Sequence, residues 1–112
     1  MRIAIPVDQD RLAAHFGHCP ELALFDVDLE AKAVTGEERV AAPPHEPGLL
    51  PRWLAERGAT HIIAGGMGQR ALQLFAEHGV HVVIGAPSEA PAEIVQQFLS
   101  GTLTTTGNLC DH

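Results

Sequence analysis

The second half of the chain repeats one pattern, a short apolar strand followed by a glycine turn and a helix, at a spacing of 20 residues. The aligned positions are His61, Ile62, Ile63 and Gly65 in the first unit and His81, Val82, Val83 and Gly85 in the second. Strands that alternate with helices pack as parallel neighbours, joined by right-handed crossovers. The repeat therefore predicts an α/β fold in which the later strands are parallel.

Three more strands are predicted ahead of the repeat, where apolar residues alternate or β-branched residues dominate. The five predicted strands cover residues 2–7, 21–28, 33–42, 60–64 and 81–84. The predicted helices cover residues 48–57 and 69–78, with a third from an N-cap at Ser88 to a stop at Gly101. The loop between the first two strands is too polar for a core element, apart from a short extended piece within residues 12–16.

The length and charge of the chain exclude several classes of protein. A chain of 112 residues forms one small domain, and its 14 acidic against 7 scattered basic residues argue against nucleic-acid binding. No apolar run approaches the roughly 18 to 20 residues that cross a bilayer, so a membrane span is not expected. Without a signal-peptide pattern, and with two cysteines far apart in the sequence, we expect a cytoplasmic protein with reduced thiols.

The loop between the first two strands carries the densest group of metal-binding side chains. This His/Cys loop comprises His15, Phe16, Gly17, His18 and Cys19. Two imidazoles and a thiol, separated by a glycine that lets the backbone fold back, are the residue types and spacing that bind zinc, copper or iron. The alternative is a polar loop whose histidines cap nearby backbone groups.

Three more candidate ligands lie elsewhere, namely His45 in a proline-rich loop and Cys110 and His112 in the tail. A tail with a thiolate and an imidazole can close over a site, although such tails also occur by chance and termini are usually disordered. The other histidines are interpreted as structural, because two begin strands and one ends a helix, where a cation is favourable. These are His61, His81 and His78.

A glycine turn leads from the fourth predicted strand into the second helix and comprises Gly65, Gly66, Met67 and Gly68. Backbone N–H groups at a helix N-terminus favour anions. The turn is neither a Walker A motif nor G-x-G-x-x-G, because the lysine and hydroxyl of the former are absent. An iron-sulfur cluster, with its net negative charge, would be served by both this turn and the His/Cys loop.

The order of the strands predicts where these segments meet. If the first strand is parallel to the two later ones, three connections fall on one edge of the sheet, where ligands bind in such folds. They are the loop after Val7, the glycine turn and the turn before Ser88.

Taken together, these motifs resemble the dinitrogenase iron-molybdenum cofactor biosynthesis family, especially small stand-alone members similar to NifX and the C-terminal domain of NifB. The resemblance rests on the R-I-A-I-P-V strand, the His/Cys loop, the His45 loop, the I-A-G-G-M-G segment and the closing N-x-C-D-H. It implies a ribonuclease H-like α/β fold with a five-stranded mixed sheet flanked by helices. The expected domain covers residues 1–101, followed by a flexible tail over residues 102–112.

The resemblance also implies a non-catalytic role, in which such domains bind an iron-molybdenum cofactor, its iron-sulfur precursor or a related cluster. The cluster is then handed to metallocofactor assembly or acceptor proteins. The resemblance places His15, His18 and Cys19 at the cluster site, with His45, Cys110 and His112 as further candidates. We expect a monomer with no nucleic-acid or membrane partner.

Two alternatives use residues of the same chain. One is a mononuclear zinc or copper module that uses the same His and Cys ligands in a tetrahedral site. The other is a magnesium-dependent nuclease in which Asp8, after the first strand, and Asp26, on the second, hold the metal. The acidic charge balance argues against the nuclease, because no basic track would hold the substrate.

Overall fold

The strands of the chain form one mixed sheet in the order β4-β3-β1-β5-β6, with β2 beside the end of β1. The computed structural model describes residues 1–13, 19–43 and 48–105. The elements are β1 (Arg2–Asp8), β2 (Arg11–Leu12), β3 (Glu21–Asp28), β4 (Ala33–Ala41), α1 (Leu49–Glu56), β5 (His61–Ile63), α2 (Gln69–Glu77), β6 (His81–Val83) and α3 (Pro91–Ser100). The predicted single-domain α/β architecture with a mixed sheet is confirmed.

The central strand β1 determines the geometry of the whole sheet. It runs antiparallel to β2 and β3 and parallel to β5, and β5 is in turn parallel to β6. The carboxyl ends of β1, β5 and β6 therefore lie at one edge of the sheet, which we call the carboxyl edge. The predicted parallel relation between the first strand and the two later ones is confirmed.

Each face of the sheet is covered by helices, because successive side chains of a strand point to opposite faces. In β1, Ile3 and Ile5 belong to a core cluster with Ile94 of α3. Ala4 belongs to a second cluster with Leu54 of α1 and Phe75 of α2. We call these clusters the α3-side core and the α1/α2-side core, and the near-continuous apolar sequence of β1 follows from its burial on both faces.

The predicted number of five strands is wrong, since the described residues alone form a sheet of six. The additional strand β2 pairs with the end of β1, with Val7 opposite Leu12 and Asp8 opposite Arg11. Gln9 and Asp10 form the two-residue turn, with φ angles of 54° and 63°. Left-handed φ at both positions matches the twist of a tight hairpin, so the chain folds back at once. The ribonuclease H-like topology implied by the resemblance stays a prediction.

The predicted N-cap of the third helix is also wrong. The helix α3 begins at Pro91 with Ala90 at the N-cap position, and proline is favoured at the first helical position because its φ is already helical. The Ser88 hydroxyl instead donates a hydrogen bond to the Leu12 carbonyl at 3.1 Å. The predicted helix stops are confirmed by glycines with left-handed φ at Gly58, Gly79 and Gly101.

Candidate functional site

Three connections that are distant in sequence meet at the carboxyl edge. The Gly85 N–H donates to the Gly65 carbonyl at 2.9 Å, which joins the turn after β6 to the glycine turn. The Leu12 N–H donates to the Glu89 carbonyl at 2.9 Å, which joins the same turn to β2. The predicted meeting of the three segments is therefore confirmed by direct hydrogen bonds between backbones.

The ladder between β1 and β5 ends before the proline of the central strand. The pairing matches Ile3 with His61 and Ala4 with Ile62, and Pro6 lies beyond it. A proline has no N–H to donate to a ladder. After β5, the Ala64 N–H donates to the Val83 carbonyl at 2.8 Å, so hydrogen bonding to the side of β6 continues at the carboxyl edge.

The glycine turn delivers the chain to the N-terminus of α2. Gly65, Gly66 and Met67 are buried, whereas Gly68 is exposed and is the N-cap residue. In the part of the chain that the structure describes, no side chain caps α2 and no acidic residue lies in its first turn. A Cβ atom built on Gly68 would meet no atom of the described residues within 4 Å. Among those residues, no side chain caps the N–H groups of this helix end, which carry a partial positive charge.

Met67 anchors the glycine turn through packing. Its side chain is 0% exposed and belongs to the α1/α2-side core. The side chain of Met67 is thus part of the core, and any contribution of this predicted cofactor-binding residue would come from its backbone, which is how the glycine turn is expected to act.

Cys19 lies at the carboxyl edge, on the face of the sheet that α2 covers. It precedes β3, whose first residue Glu21 pairs with Val7 at the end of β1. Its side chain is 8% exposed and belongs to the same core cluster as Ala64 and Met67. The thiol therefore lies at the margin of the core, close to the strand ends where the three connections meet.

The remaining predicted ligands and loop residues lie outside the described residues. They are His15, Phe16, Gly17, His18, His45, Cys110 and His112. Within residues 1–13, 19–43 and 48–105, no three histidine, cysteine or acidic side chains form a group that could hold a metal ion. The described part of the site consists of Cys19 and the glycine turn.

The sequence did not indicate a role for Arg11, which hydrogen-bonds two of the connections at the carboxyl edge to each other. Arg11 of β2 donates from Nη1 to the Ser88 carbonyl at 3.1 Å, next to the bond between Ser88 and Leu12. The hairpin that presents Arg11 turns through Gln9 and Asp10, which lack the Asn-Gly or Asp-Gly signature of such turns. A glycine at position 10 would have completed the Asn-Gly or Asp-Gly type of signal by which such a hairpin is predicted.

The histidines interpreted as structural lie away from the carboxyl edge. His61 and His81 begin β5 and β6 at the opposite end of the sheet, and their ring centroids are 4.9 Å apart. Burial lowers the pKa of His61 below its ordinary value, and the charges of His81 and the Met1 amino group lower it further. His78 is the C-cap residue of α2, as expected for a side chain that interacts with the helix dipole.

The two carboxylates of the nuclease alternative lie at opposite ends of the sheet. Asp26 pairs with Arg2 at the start of β1, whereas Asp8 ends that strand, which places them about 20 Å apart at the rise of an extended chain. Arg2 donates from Nε and Nη2 to the two Asp26 carboxylate oxygens at 2.8 and 3.1 Å. This hydrogen bonding lowers the pKa of Asp26. One magnesium ion cannot be shared by this pair, so that hypothesis about its ligands is wrong.

Comparison with known proteins agrees with the motifs and the fold. Residues 1–101 match the family model described as dinitrogenase iron-molybdenum cofactor. The chain belongs to this family. Among its relatives, the uncharacterized protein MJ0580 of Methanocaldococcus jannaschii is 29% identical over 107 residues, which are 92% of this chain and 89% of that protein.

Two solved structures have folds similar to that of this chain. The crystal structure of PH0822 matches with a TM-score of 0.90 and 28% identity over the full length of both chains. The apo form of the orange protein from Desulfovibrio gigas has a TM-score of 0.73 at 23% identity, over 96% of this chain and 93% of that chain. The family relation to iron-molybdenum cofactor is consistent with a role in cofactor assembly. Among the described helices, none is long and apolar enough to cross a membrane.

Proposed function

We propose that this protein binds an iron-sulfur or iron-molybdenum-type cluster as cargo at the carboxyl edge and passes it on during metallocofactor assembly, without catalysing a reaction itself. The observation that carries the proposal is the family match over residues 1–101. The convergence of three connections and Cys19 at the carboxyl edge supports the location.

The electrostatics of this edge suit an anionic cargo. The chain has a net charge of −7 with histidine neutral, so attraction for an anion has to come from local groups. The uncapped N-terminus of α2 supplies N–H groups, and its first turn carries the exposed Arg70 and no acidic residue. A cluster with net negative charge would be stabilised there by the helix dipole.

The donor types of the predicted ligands also suit a cluster with soft metals. A thiolate is the usual ligand of iron-sulfur clusters, and imidazoles can replace it on iron. The proposed donors are Cys19, His15 and His18, with His45, Cys110 and His112 as further donors. The proposed partners are the assembly proteins that supply the cluster and the acceptor proteins that receive it.

Anaerobic reconstitution with iron and sulfide tests the binding step. We expect the wild-type chain to gain iron and sulfide, with visible absorption and an electron paramagnetic resonance signal in one redox state. The triple variant His15→Ala, His18→Ala, Cys19→Ser should lose most of this cluster, because the proposed donors are gone. The matched control His78→Gln changes a histidine at the far end of α2 and should reconstitute like wild type.

Thermal unfolding, analysis of metal and sulfide content, and a transfer assay complete the test of the proposed cluster site. Thermal unfolding of the metal-free variants checks that each is folded before reconstitution. Equal cluster content in wild type and a folded triple variant would contradict the proposed site, and stoichiometric zinc without iron or sulfide in the purified protein would favour a mononuclear module. Movement of the cluster to an added apo iron-sulfur protein, followed by the same spectroscopy, tests the transfer step.

A further inference from the structure

A second pair of metal-binding side chains lies at the end of the sheet opposite the carboxyl edge. His61 and His81 pair in register across the parallel strands β5 and β6, so their side chains project to the same face of the sheet. This is the face covered by α3, because Ile63, two residues after His61, belongs to the α3-side core. A structural role explains the burial of His61, but it does not explain an exposed histidine beside it.

The spacing of neighbouring strands holds the two rings at a separation that two imidazoles sharing one ion also have. Metal–nitrogen bonds of about 2.0–2.1 Å and a tetrahedral angle place two ring centres about 5 Å apart, since each centre lies about 1.1 Å beyond its nitrogen. The ring centroids of His61 and His81 are 4.9 Å apart with a tilt of 30° between the planes.

Hydrogen bonding leaves one nitrogen of His61 available as a ligand. The Thr60 hydroxyl accepts a hydrogen bond from the Arg2 N–H at 3.1 Å and donates one to the Arg2 carbonyl at 3.0 Å. His61 Nδ1 lies 2.9 Å from the same Oγ1, and the tautomer of the ring decides which of the two atoms donates. In the tautomer that donates from Nδ1, Nε2 carries the lone pair, and an Nδ1–H bonded to oxygen is the arrangement that orients metal-binding histidines.

One ring of the pair packs against α3, and the other is open to solvent. Phe98 of α3 lies against His61 with ring centroids 6.0 Å apart. His81 is exposed, so an ion can arrive from solvent. The nearby guanidinium of Arg2 is paired with the Asp26 carboxylate at 2.8 Å, which offsets its positive charge.

We infer that His61 and His81 form a two-histidine site for a divalent transition metal ion of the Ni²⁺, Cu²⁺ and Zn²⁺ class, with water completing the coordination. Imidazole suits these ions, and Thr60 acts as a positioning residue. The site is distinct from the proposed cluster site, because the length of β1 separates the two ends of the sheet. It does not rest on the proposed function.

Ni²⁺ titration of the full chain, followed by NMR of the histidine ring protons and by calorimetry, tests the site. In the wild type we expect paramagnetic broadening of the His61 and His81 rings at the same Ni²⁺ concentration. His81→Gln should remove one binding event and weaken Ni²⁺ broadening of His61 at least tenfold. His78→Gln, three residues earlier and also exposed, should leave both unchanged.

Thr60→Val provides an independent test of the positioning role. It keeps both ligands and the side-chain shape, and we expect a loss of about tenfold in Ni²⁺ affinity, the low end of the range for such outer-shell partners. The ring ¹⁵N shifts of His61 should show a changed balance of tautomers. Wild-type His61 and His81 signals that stay sharp, or a folded His81→Gln variant with wild-type stoichiometry and affinity, would overturn the inference.

Discussion

The protonation of His61 couples the stability of the fold to pH. Its pKa in the folded protein lies below the ordinary value, because of burial first and then the charges of His81 and the Met1 amino group. The unfolded chain, with a histidine pKa of about 6.5, therefore binds the proton more tightly than the folded chain. Protonation of His61 therefore favours the unfolded chain. The free energy of unfolding keeps its full value above the pKa of the unfolded chain, and it decreases as the pH falls from there through the lowered pKa of the folded protein.

We expect the free energy of unfolding to decrease as the pH falls from about 6.5 towards 5. Urea unfolding at four pH values between 7.5 and 5 measures this slope. His61→Gln should flatten this slope, because the substitution removes the group whose pKa is lowered on folding. Identical slopes in wild type and His61→Gln would show that other groups dominate acid sensitivity in this range.

At the level of single residues, the sequence shows which side chains could bind a metal, but it does not show which side chains pair with each other in the fold. Cys19 could be recognised as a candidate ligand from its neighbours in the sequence, and its side chain lies at the carboxyl edge. The partner of Asp26 could not, because Arg2 faces it only through the register of β1 and β3. Register depends on which faces are buried and on turn lengths, neither of which a local motif contains.

At the level of elements, α2 is flanked by two glycines whose backbone φ angles differ in sign. Gly79, which follows the helix, has a φ of 74°, where a Cβ atom causes strain. Gly68, which precedes it, has a φ of −70°, and a Cβ atom there meets nothing within 4 Å. The first glycine is required by backbone geometry, and the second leaves room beside the helix N-terminus.

Gly79→Ala should therefore lower the free energy of unfolding by about 1–2 kcal/mol. Gly68→Ala should leave it within about 0.5 kcal/mol of wild type. Chemical denaturation of both variants at one pH checks the contrast. A Gly68→Ala loss as large as that of Gly79→Ala would mean that the glycine turn needs Gly68 for its own conformation.

Most elements could be predicted because their signals are periodic and local. The repeat of strand and helix predicted β5, α2, β6 and α3 with end positions close to the observed ones. The hairpin between β1 and β2 could not be predicted, because Gln9 and Asp10 adopt left-handed φ without the glycine that usually marks it. The local sequence predicts Ser88 as a helix cap because its actual partner, the Leu12 carbonyl, lies far away in the sequence.

At the level of the whole molecule, one sheet joins two cores, and its central strand contributes residues to both of them. Ile94 is 0% exposed in the α3-side core, whereas Trp53 packs against the α1/α2-side core on the other face. Because β1 belongs to both cores, loss of packing on one face should destabilise the other. The domain is expected to unfold as one cooperative unit.

Ile94→Ala should lower the free energy of unfolding by about 2–5 kcal/mol, since it leaves a cavity beside β1. Tryptophan fluorescence, which reports on the opposite face, and far-ultraviolet circular dichroism should give the same shifted midpoint. A fluorescence midpoint that stays at the wild-type value while the dichroism midpoint falls would show that the two faces unfold independently.

The carboxyl edge is built from connections between strands, while packing is concentrated in the strands and helices beneath it. Substitutions at the exposed positions of such connections disturb the cores little, so selection can change what is recognised there without loss of folding. The same framework can therefore diversify its ligand over evolutionary time, as expected where function lies in sites carried by a fold. The opposite end, tied by Arg2, Asp26 and Thr60, should diverge more slowly in sequence.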